Sequence, residues 1–473
     1  MTEHPDAYPS FHRVVGIDLG TSSCAVSVWD GAKPFVIRGP SGATTMPASV
    51  GQDRNGQVVA GVPPAGDPEN VIAGIKRRLG SGDRVRFRGR AYLPRDICAY
   101  LLIELKRQAE AFIGEPVHDA VITVSAVAGE AQRRALREAA GLAQLNVRRL
   151  VEDPVAAAMA LGVDARPGTY AIYDLGGGTF DASVVRVGED TVDVLGTAGD
   201  QLLGGDDFDE LIVGHVLRQI RERHHVDLRQ DPAIRQRVRW EAEIRKRELS
   251  DADTTTLELP ALTATVSASV PLSRRAFEAM IEPDVQRSLD LLSEAIAAAR
   301  TVHGVGWGDI DQVVLAGGST RIPAIRERLA AYLGWGAARI RADLDPDEMV
   351  ARGAGLVARD YEPASLFEGS PVGLLSASLR LRSEMAVPEI GPDAEEPVET
   401  PDPPGPAGPP AETPADFRRV AEATYMILLQ DIDLDGLATA YGAFITAVQA
   451  AAPDARLAEL GQALTAEYER YSG

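Results

Sequence analysis

The sequence predicts an α/β fold made of two similar lobes that face one another, and three glycine-rich turns carry that prediction. The first is Tyr170-Ala171-Ile172-Tyr173-Asp174-Leu175-Gly176-Gly177-Gly178-Thr179-Phe180-Asp181, an apolar run closed by an acid, then three glycines, a threonine and a second acid. The alternating run Ala182 to Val187 follows, so the whole reads as strand, tight turn, strand. A plain hairpin needs fewer glycines. Three in a row permit positive φ and let backbone N–H groups approach an anion closely. Thr179 adds a hydroxyl, while Asp174 and Asp181 are hard oxygen groups suited to Mg²⁺ or its shell of waters. The second observation is a weaker twin, Val14-Val15-Gly16-Ile17-Asp18-Leu19-Gly20-Thr21-Ser22-Ser23, with Ala25 to Trp29 returning and Asp30-Gly31 turning again. Two Asp-Leu-Gly copies a domain's length apart suggest opposed lobes whose turns grip one polyphosphate from both sides. The third observation is Val313-Val314-Leu315-Ala316-Gly317-Gly318-Ser319-Thr320-Arg321-Ile322-Pro323, a strand, a Gly-Gly-Ser turn and a helix start. It lies at the end of an apolar strand, where α/β folds place ligands.

The composition bounds the reading. A chain of 473 residues, 45% of them hydrophobic, has room for two or three domains with sizeable cores. Its net charge of −21 argues against nucleic acid as the main ligand, since a phosphate backbone needs a basic face; a single nucleotide needs only a local site. The lysines are Lys33, Lys76, Lys106 and Lys246, and arginine supplies nearly all the positive charge. A lysine inside a motif is then notable for its compact ammonium. The N-terminus lacks the basic and apolar regions of a signal peptide, and no run approaches the ~18 apolar residues of a membrane span. Cys24 and Cys98 allow one disulfide, but the expectation is two small buried thiols in a reducing cytoplasm. The histidines show no metal-ligand spacing, and His224-His225 falls in a charged, exposed helical run.

Residues 1–12 read as a loose tail, and strands follow to about residue 62, where a proline cluster breaks the pattern. In the stretch Val71 to Gly80, Lys76 either reaches toward a phosphate or is an ordinary exposed lysine at a helix end. Residues 84–92 alternate as a small hairpin, Ile97 to Ile113 is helical, Ala120 to Val124 is a buried strand, and Ala128 to Gly141 is a helix ending at glycine. In Glu152-Asp153-Pro154 two acids precede a proline, which suits a helix start; in a nucleotide cleft the same place lets a carboxylate orient a water. The loop Gly199 to Asp209, with Gly204-Gly205, enters another helix, either as an acidic capped start or as free N–H groups for an anion. Residues 235–250 form a charged helix with Glu243, Lys246, Arg247 and Ser250 on one face, which by default is solvated. Strands around 255–271 and helices from 273 to 302 lead to the third glycine turn. There Gly317-Gly318 permits flat packing of a nucleoside and Arg321 can stack on a base. Asp345-Pro346-Asp347-Glu348 opens a last helix containing Gly353 and Gly355. Residues 363–414 are a linker, proline-rich from 388, without the material for a core. Residues 415–473 regain helical periodicity, with Leu434, Leu437, Tyr441, Phe444, Ile445 and Val448 as one apolar stripe, which suits a small bundle or a docking module.

In order and spacing, the turns resemble the ATPase domain of the seventy-kilodalton heat-shock (DnaK-type) chaperones, within the actin/hexokinase-like superfamily. The resemblance runs from about Val14 to Ala358. It rests on Gly16 to Thr21, Ile75-Lys76-Arg77, Tyr173 to Asp181, Leu203 to Asp209, Gly317 to Pro323 and Asp345 to Glu348. It implies two lobes with ribonuclease-H-like βββαβα cores around a cleft for ATP or ADP with Mg²⁺. Lobe I would span about 13–186 plus 346–362, and lobe II 187–345, within a nucleotide-binding domain of 13–362. Carried over by position, Asp18, Asp174 and Asp181 would surround the magnesium and its waters. Gly20, Thr21, Ser22 and Ser23 would hold phosphates from one side, and Gly176, Gly177, Gly178 and Thr179 from the other. Gly204 and Gly205 would lie on the phosphate side. Lys76 would stabilise the γ-phosphate or position the attacking water, with Asp153 and Thr179 also catalytic. Glu243, Lys246, Arg247, Ser250, Gly317, Gly318, Ser319 and Arg321 would frame adenosine, with Asp347 nearby. Phosphoryl transfer needs a metal, a cation and an oriented water more than covalent help.

The chain departs from the family pattern in four places. Asp153 stands where the family has Glu, which shortens the reach to the water and leaves Glu152 to compensate. Ser125 stands where a switch proline is usual, although its partner Arg133 is present. The stretch from Gly80 to Ala120 is short. The leucine-rich linker and peptide-binding β-sandwich have no counterpart in the remaining sequence. The expected function is therefore a slow chaperone-like ATPase whose lobe closure is read by a partner or by the C-terminal helices, with a co-chaperone or exchange factor and an unidentified client protein. A non-hydrolysing nucleotide-gated scaffold, motivated by Asp153 and Ser125, is the alternative. A small-molecule kinase or an actin-like filament former of the same superfamily is a weaker one.

Overall fold

The computed structural model describes residues 12–52, 57–61, 71–162, 167–188, 191–336, 339–342 and 344–361. The expected tail before His12, the linker at 363–414 and the helical module at 415–473 lie outside these residues. Those up to Gly89 and from Pro94 onward form one compact unit, while Arg90–Leu93 group with a second.

Two sheets organise the first unit. Strand β1 (Val14–Leu19) is buried along nearly its whole length, as a strand covered on both faces must be. It pairs antiparallel with β2 (Ser23–Trp29), which pairs antiparallel with β3 (Pro34–Val36) and, at its start, with β4 (Met46–Pro47). A small three-stranded sheet holds β5 (Ser49–Gln52), β6 (Val58–Ala60) and β7 (Ile72–Ala73). Strands β8 (Val85–Phe87) and β9 (Arg90–Tyr92) stand where alternation predicts a hairpin. After helix α1 (Pro94–Ile113), β10 (Asp119–Val124) runs parallel to β1; after α2 (Glu130–Leu142), β11 (Asn146–Glu152) runs parallel to β10. The order in the first sheet is β11-β10-β1-β2-β3.

Helix α3 (Asp153–Gly162) then leads to the second sheet, which repeats the plan. Strands β12 (Gly168–Leu175), β13 (Phe180–Val187) and β14 (Val192–Asp200) form an antiparallel meander. Helices α4 (Gly205–His224) and α5 (Pro232–Glu248), the hairpin β15 (Thr254–Leu259) and β16 (Ala268–Ser273), and helix α6 (Arg274–His303) follow. Strand β17 (Gln312–Ala316) is parallel to β12, and after α7 (Pro323–Leu333), β18 (Ile340–Arg341) is parallel to β17. The order β14-β13-β12-β17-β18 matches the first sheet strand for strand in direction and sequence of crossing.

The hairpin β12–β13 is the middle of the second sheet, paired through β12 with β17. One expectation changes here. The segment expected as several helices from 273 is one helix of 30 residues, capped by the Ser273 side chain and closed by Gly304 at φ 72°, with Pro283 inside it.

Helix α8 (Met349–Arg359) returns to the first sheet and packs on β1, β2 and α3. Ala156, Ala157, Leu161, Ile172, Val185, Val314, Met349 and Ala354 make one apolar seam joining both sheets through α3 and α8. The approach depends on bare glycines. A Cβ at Gly353 would overlap the Ala156 carbonyl, and one at Gly355 would press on Ser27 Oγ. Gly353→Ala is therefore expected to destabilise the protein by about 1–3 kcal/mol through overpacking, read as a lowered denaturant midpoint. An unchanged midpoint would show that α3 and α8 need no such contact. Among the described residues, no helix is long and apolar enough to cross a membrane.

Candidate functional site

Equivalent strands of the two sheets, β1 and β12, each end in Asp-Leu, and their carboxyl ends bring four acids to one lysine. Asp174 lies directly opposite Asp181 in the β12–β13 hairpin, an arrangement of like charges that is unfavourable unless something else compensates. Asp153 begins α3 and accepts from Lys76 at 3.3 Å, with both side chains about a tenth exposed or less. Lys76 sits in a single 3-10 turn, Ile75–Arg78, with its side chain only 11% exposed, so it is not an exposed lysine at a helix end. Asp18 accepts from Thr123 Oγ1 at 3.2 Å, and Asp181 accepts from Ser125 Oγ at 3.1 Å.

The electrostatics follow from this crowding. Burial, then the Asp153 charge, pushes the Asp18 carboxyl up from 3.8 to about 7, against the pull of Lys76 and Thr123. Burial and Asp153 push Asp181 up to about 7 as well, against Ser125 and Lys76. Asp174 stands well above the carboxylate range, through burial and then the charges of Asp153, Asp181 and Asp18. Burial alone would lower the Lys76 ammonium, but Asp153 and Asp18 outweigh it and hold it above its ordinary value. A carboxyl whose folded pKa exceeds its unfolded one binds more protons when folded, so it costs stability as pH rises between the two values. Without metal or nucleotide, the melting midpoint of wild type relative to Asp18→Asn is expected to fall from pH 4 to pH 7, the window set by 3.8 and about 7. A wild-type midpoint that rises relative to the variant over that window would contradict the raised Asp18 carboxyl.

The site suits a divalent cation held through water. One ammonium faces four carboxylates, and Asp153 Oδ1 is buried with no hydrogen-bond partner among the described residues. No group of three or more His, Cys, Asp or Glu among those residues stands close enough to ligate one ion directly. A metal bearing its own waters would bring both the missing charge and donors for the orphaned oxygen.

The two Asp-Leu-Gly turns meet. A Cβ at Gly177 would overlap Ser22 Oγ, and one at Gly178 would overlap Thr21. None of Gly176, Gly177 and Gly178 has positive φ, so the three glycines answer to this close approach and not to the conformational need the sequence suggested. Ser22 Oγ donates to Asp206 Oδ1 at 2.8 Å, which ties the turn into β2 to the first turn of α4. Thr21 is buried, Gly20 precedes it on the turn, and Ser23 is the first residue of β2. Gly176 N–H donates to the Thr179 carbonyl at 3.0 Å and closes the hairpin.

Gly204 precedes α4 and Gly205 is its first residue, and the N–H groups of this helix start are not free. Its first four N–H groups already have acceptors: Gly205 donates to Gly176 O, Asp206 to Gly177 O, and Asp207 and Phe208 to Gly204 O. Lys246 is likewise committed. It is buried, donates to Gly205 O at 2.6 Å and pairs with Asp209 at 2.8 Å, so this part of the α5 face is not solvated as expected. The Asp209 carboxyl is pushed up to about 6 by burial, with Lys246 opposing. Glu243 and Arg247 pair at 2.8 Å and border a cleft of about 1660 Å³ that Thr21, Ser22, Ser23, Gly74 and Trp240 also line. Ser250 falls just past the end of α5.

The third glycine turn joins the same region. Gly317 has φ 78°, which glycine adopts freely, and lies against Asp174 and the Leu175 carbonyl. Ser319 Oγ donates to Gly176 O at 2.8 Å. A Cβ at Gly318 would reach Asp347 Oδ1 at 2.5 Å, and Arg321 pairs with Asp345 at 2.6 Å and Asp347 at 2.9 Å. Arg321 is thus held by two acids, where the sequence had it free to stack. Glu152 does not compensate for Asp153: it turns to Arg133, at 2.9 Å. Cys24 and Cys98 are free, buried thiols.

Sequence reasoning assigned no role to Arg77, Asp206, Asp207 or Thr123, although the first three lie within the quoted motifs. The adjacency of Arg77 to Lys76 is the signal that was there to use. A family model described as Hsp70 protein matches residues 14–85 and 81–375.

Proposed function

The chain belongs to the Hsp70 family, and from that premise we propose that it binds Mg-ATP between its two Asp-Leu-Gly turns, hydrolyses it slowly and turns loss of the terminal phosphate into movement between lobes. ATP binding and hydrolysis in a chaperone-like role are typical of that family. The observation that carries the reading is the set of four carboxylates about one lysine, three of them buried, gathered where β1 and β12 end. The repeated strand order supports two ribonuclease-H-like lobes.

Asp18, Asp174 and Asp181 would hold the waters of a magnesium ion. When bound, that ion would supply the charge that offsets the phosphates in the transition state. Lys76 would face the terminal phosphate, and Asp153, through its unpartnered Oδ1, would orient the attacking water. Thr21, Ser22 and Ser23 would bind phosphate oxygens from one turn and Gly176 to Thr179 from the other. Ser22 would then exchange Asp206 for phosphate, which ties nucleotide to the contact between lobes. Glu243, Arg247, Ser250, Gly317, Gly318, Ser319, Arg321 and Asp347 would frame adenosine, with Lys246 and Gly205 acting from beneath. An exchange factor or co-chaperone, and a client protein, would read the lobe positions.

Calorimetric titration with ATP tests this. Binding that requires Mg²⁺ is expected for wild type; heat of binding absent in both conditions would refute the reading. Because Asp153 reaches Lys76 in spite of its short side chain, hydrolysis is favoured over a purely gating role.

A further inference from the structure

We propose that Arg77 is a positioning residue that aims the Thr179 N–H and latches the two lobes, a role that rests on the ATPase reading above. Arg77 shares a 3-10 turn with Lys76 but points across to the second lobe. Its Nε donates to the Gly178 carbonyl at 2.7 Å. Its Nη1 and Nη2 form a fork on Asp207 at 3.1 and 2.5 Å. The guanidinium side chain is 18% exposed and the Asp207 side chain 32%, so water competes only partly.

Three consequences follow from the chemistry. The described peptide bonds are all trans, and a trans peptide is planar, so fixing the Gly178 C=O fixes the Thr179 N–H in the opposite direction. That N–H is one of the phosphate donors proposed above, and preorganised donors act more strongly than mobile ones. The fork on Asp207 holds the first turn of α4, whose Gly205 and Asp206 N–H groups are themselves bonded to the 176–177 carbonyls. Arg77 thus secures the glycine turn directly and again through α4. Finally, Lys76 and Arg77 are neighbours on one rigid turn, so displacement of Lys76 toward or away from its acids moves the latch with it. The task needs three donors in fixed planar geometry, which lysine lacks.

The test uses the full chain, with single-turnover ATP hydrolysis and release of a fluorescent N-methylanthraniloyl-ADP with Mg²⁺ as readouts. Arg77→Lys keeps the charge and loses the fork. It is expected to slow hydrolysis about tenfold and to speed ADP release about tenfold, while Mg-ATP affinity shifts by less than about threefold. Asp207→Asn keeps the Gly178 contact; ADP release is expected to quicken as much, with hydrolysis slowed by no more than about threefold. Hydrolysis and release both at wild-type rates in Arg77→Lys would overturn the proposal. So would equal losses of rate, affinity and melting midpoint in both variants, which mark a merely structural residue. If Arg77→Lys does not fold, release from Asp207→Asn decides alone, wild-type release refuting the latch. Wild-type protein that binds ADP but never hydrolyses ATP would sink the ATPase reading, while the release rates still judge Arg77.

Discussion

Asp174→Asn is expected to abolish Mg-dependent hydrolysis and, in the absence of nucleotide and metal, to make the protein more stable. The activity loss follows from the position of the carboxylate, at the end of β12 among the acids that would hold a hydrated metal. Removal of one such group commonly costs about 10²–10³ in rate. The stability gain follows from the same crowding. Asp174 is buried beside Asp153, Asp181 and Asp18, and its carboxyl is held well above its ordinary range. At pH 8 the folded chain bears the cost of either ionising it or keeping it protonated. Asparagine has the same shape and no charge, so a gain of roughly 1–3 kcal/mol is expected, read as a melting midpoint higher by a few degrees. Mg²⁺ with nucleotide should narrow the difference, because only wild type retains the full acid set. A lower midpoint for Asp174→Asn without ligands would show that the four acids are not mutually repelling.

Lys76→Ala is expected to lose activity to a similar extent but to move stability the other way. The Lys76–Asp153 pair is buried on both sides, with side chains 11% and 8% exposed. Breaking a buried pair from one end leaves an uncompensated charge, at a cost of about 3–5 kcal/mol. Here four carboxylates would remain without their cation, and Asp18 and Asp181, each already pushed up to about 7, would take up protons, so the loss should shrink as pH falls toward 5. The double variant Lys76→Ala/Asp174→Asn should recover part of it, since one repelling charge has gone. Equal melting midpoints for wild type and Lys76→Ala at pH 8 would rule out the ion pair as a support of the cluster. Two variants, both inactive and opposite in stability, separate electrostatics from any general loss of structure.

Much of this was legible in the residues. The apolar runs Val14–Leu19 and Gly168–Leu175 became the central strands of two sheets because both of their faces are buried, and such strands announce themselves by continuous hydrophobicity. The acids at their ends were visible for the same reason: charge at the end of a buried strand stands out. What the sequence hid was long-range. Gly177 and Gly178 read as turn glycines, but their Cβ-free surface serves Ser22 and Thr21, more than 150 residues away in the chain. Lys246 read as part of a solvated face because helical spacing says nothing of what packs on it; α4 covers it, and Gly205 and Asp209 take its charge. The N–H groups at the start of α4 looked free until the carbonyls of Gly176 and Gly177 were found there. The hairpin at 168–187 follows the first sheet in sequence but pairs with β17, a partner that arrives more than a hundred residues later. Glu152 and Asp153 are adjacent and chemically alike, yet the strand-to-helix junction sends one to Arg133 and the other to Lys76.

The most direct measurement of the central claim is single-turnover hydrolysis of γ-labelled ATP by the full chain, with and without Mg²⁺, in wild type and Asp174→Asn. Slow release of phosphate that requires Mg²⁺ and disappears in the variant is the result expected. Release that proceeds equally without Mg²⁺, or persists in Asp174→Asn, would contradict the assignment of the buried acids to a metal-bound triphosphate.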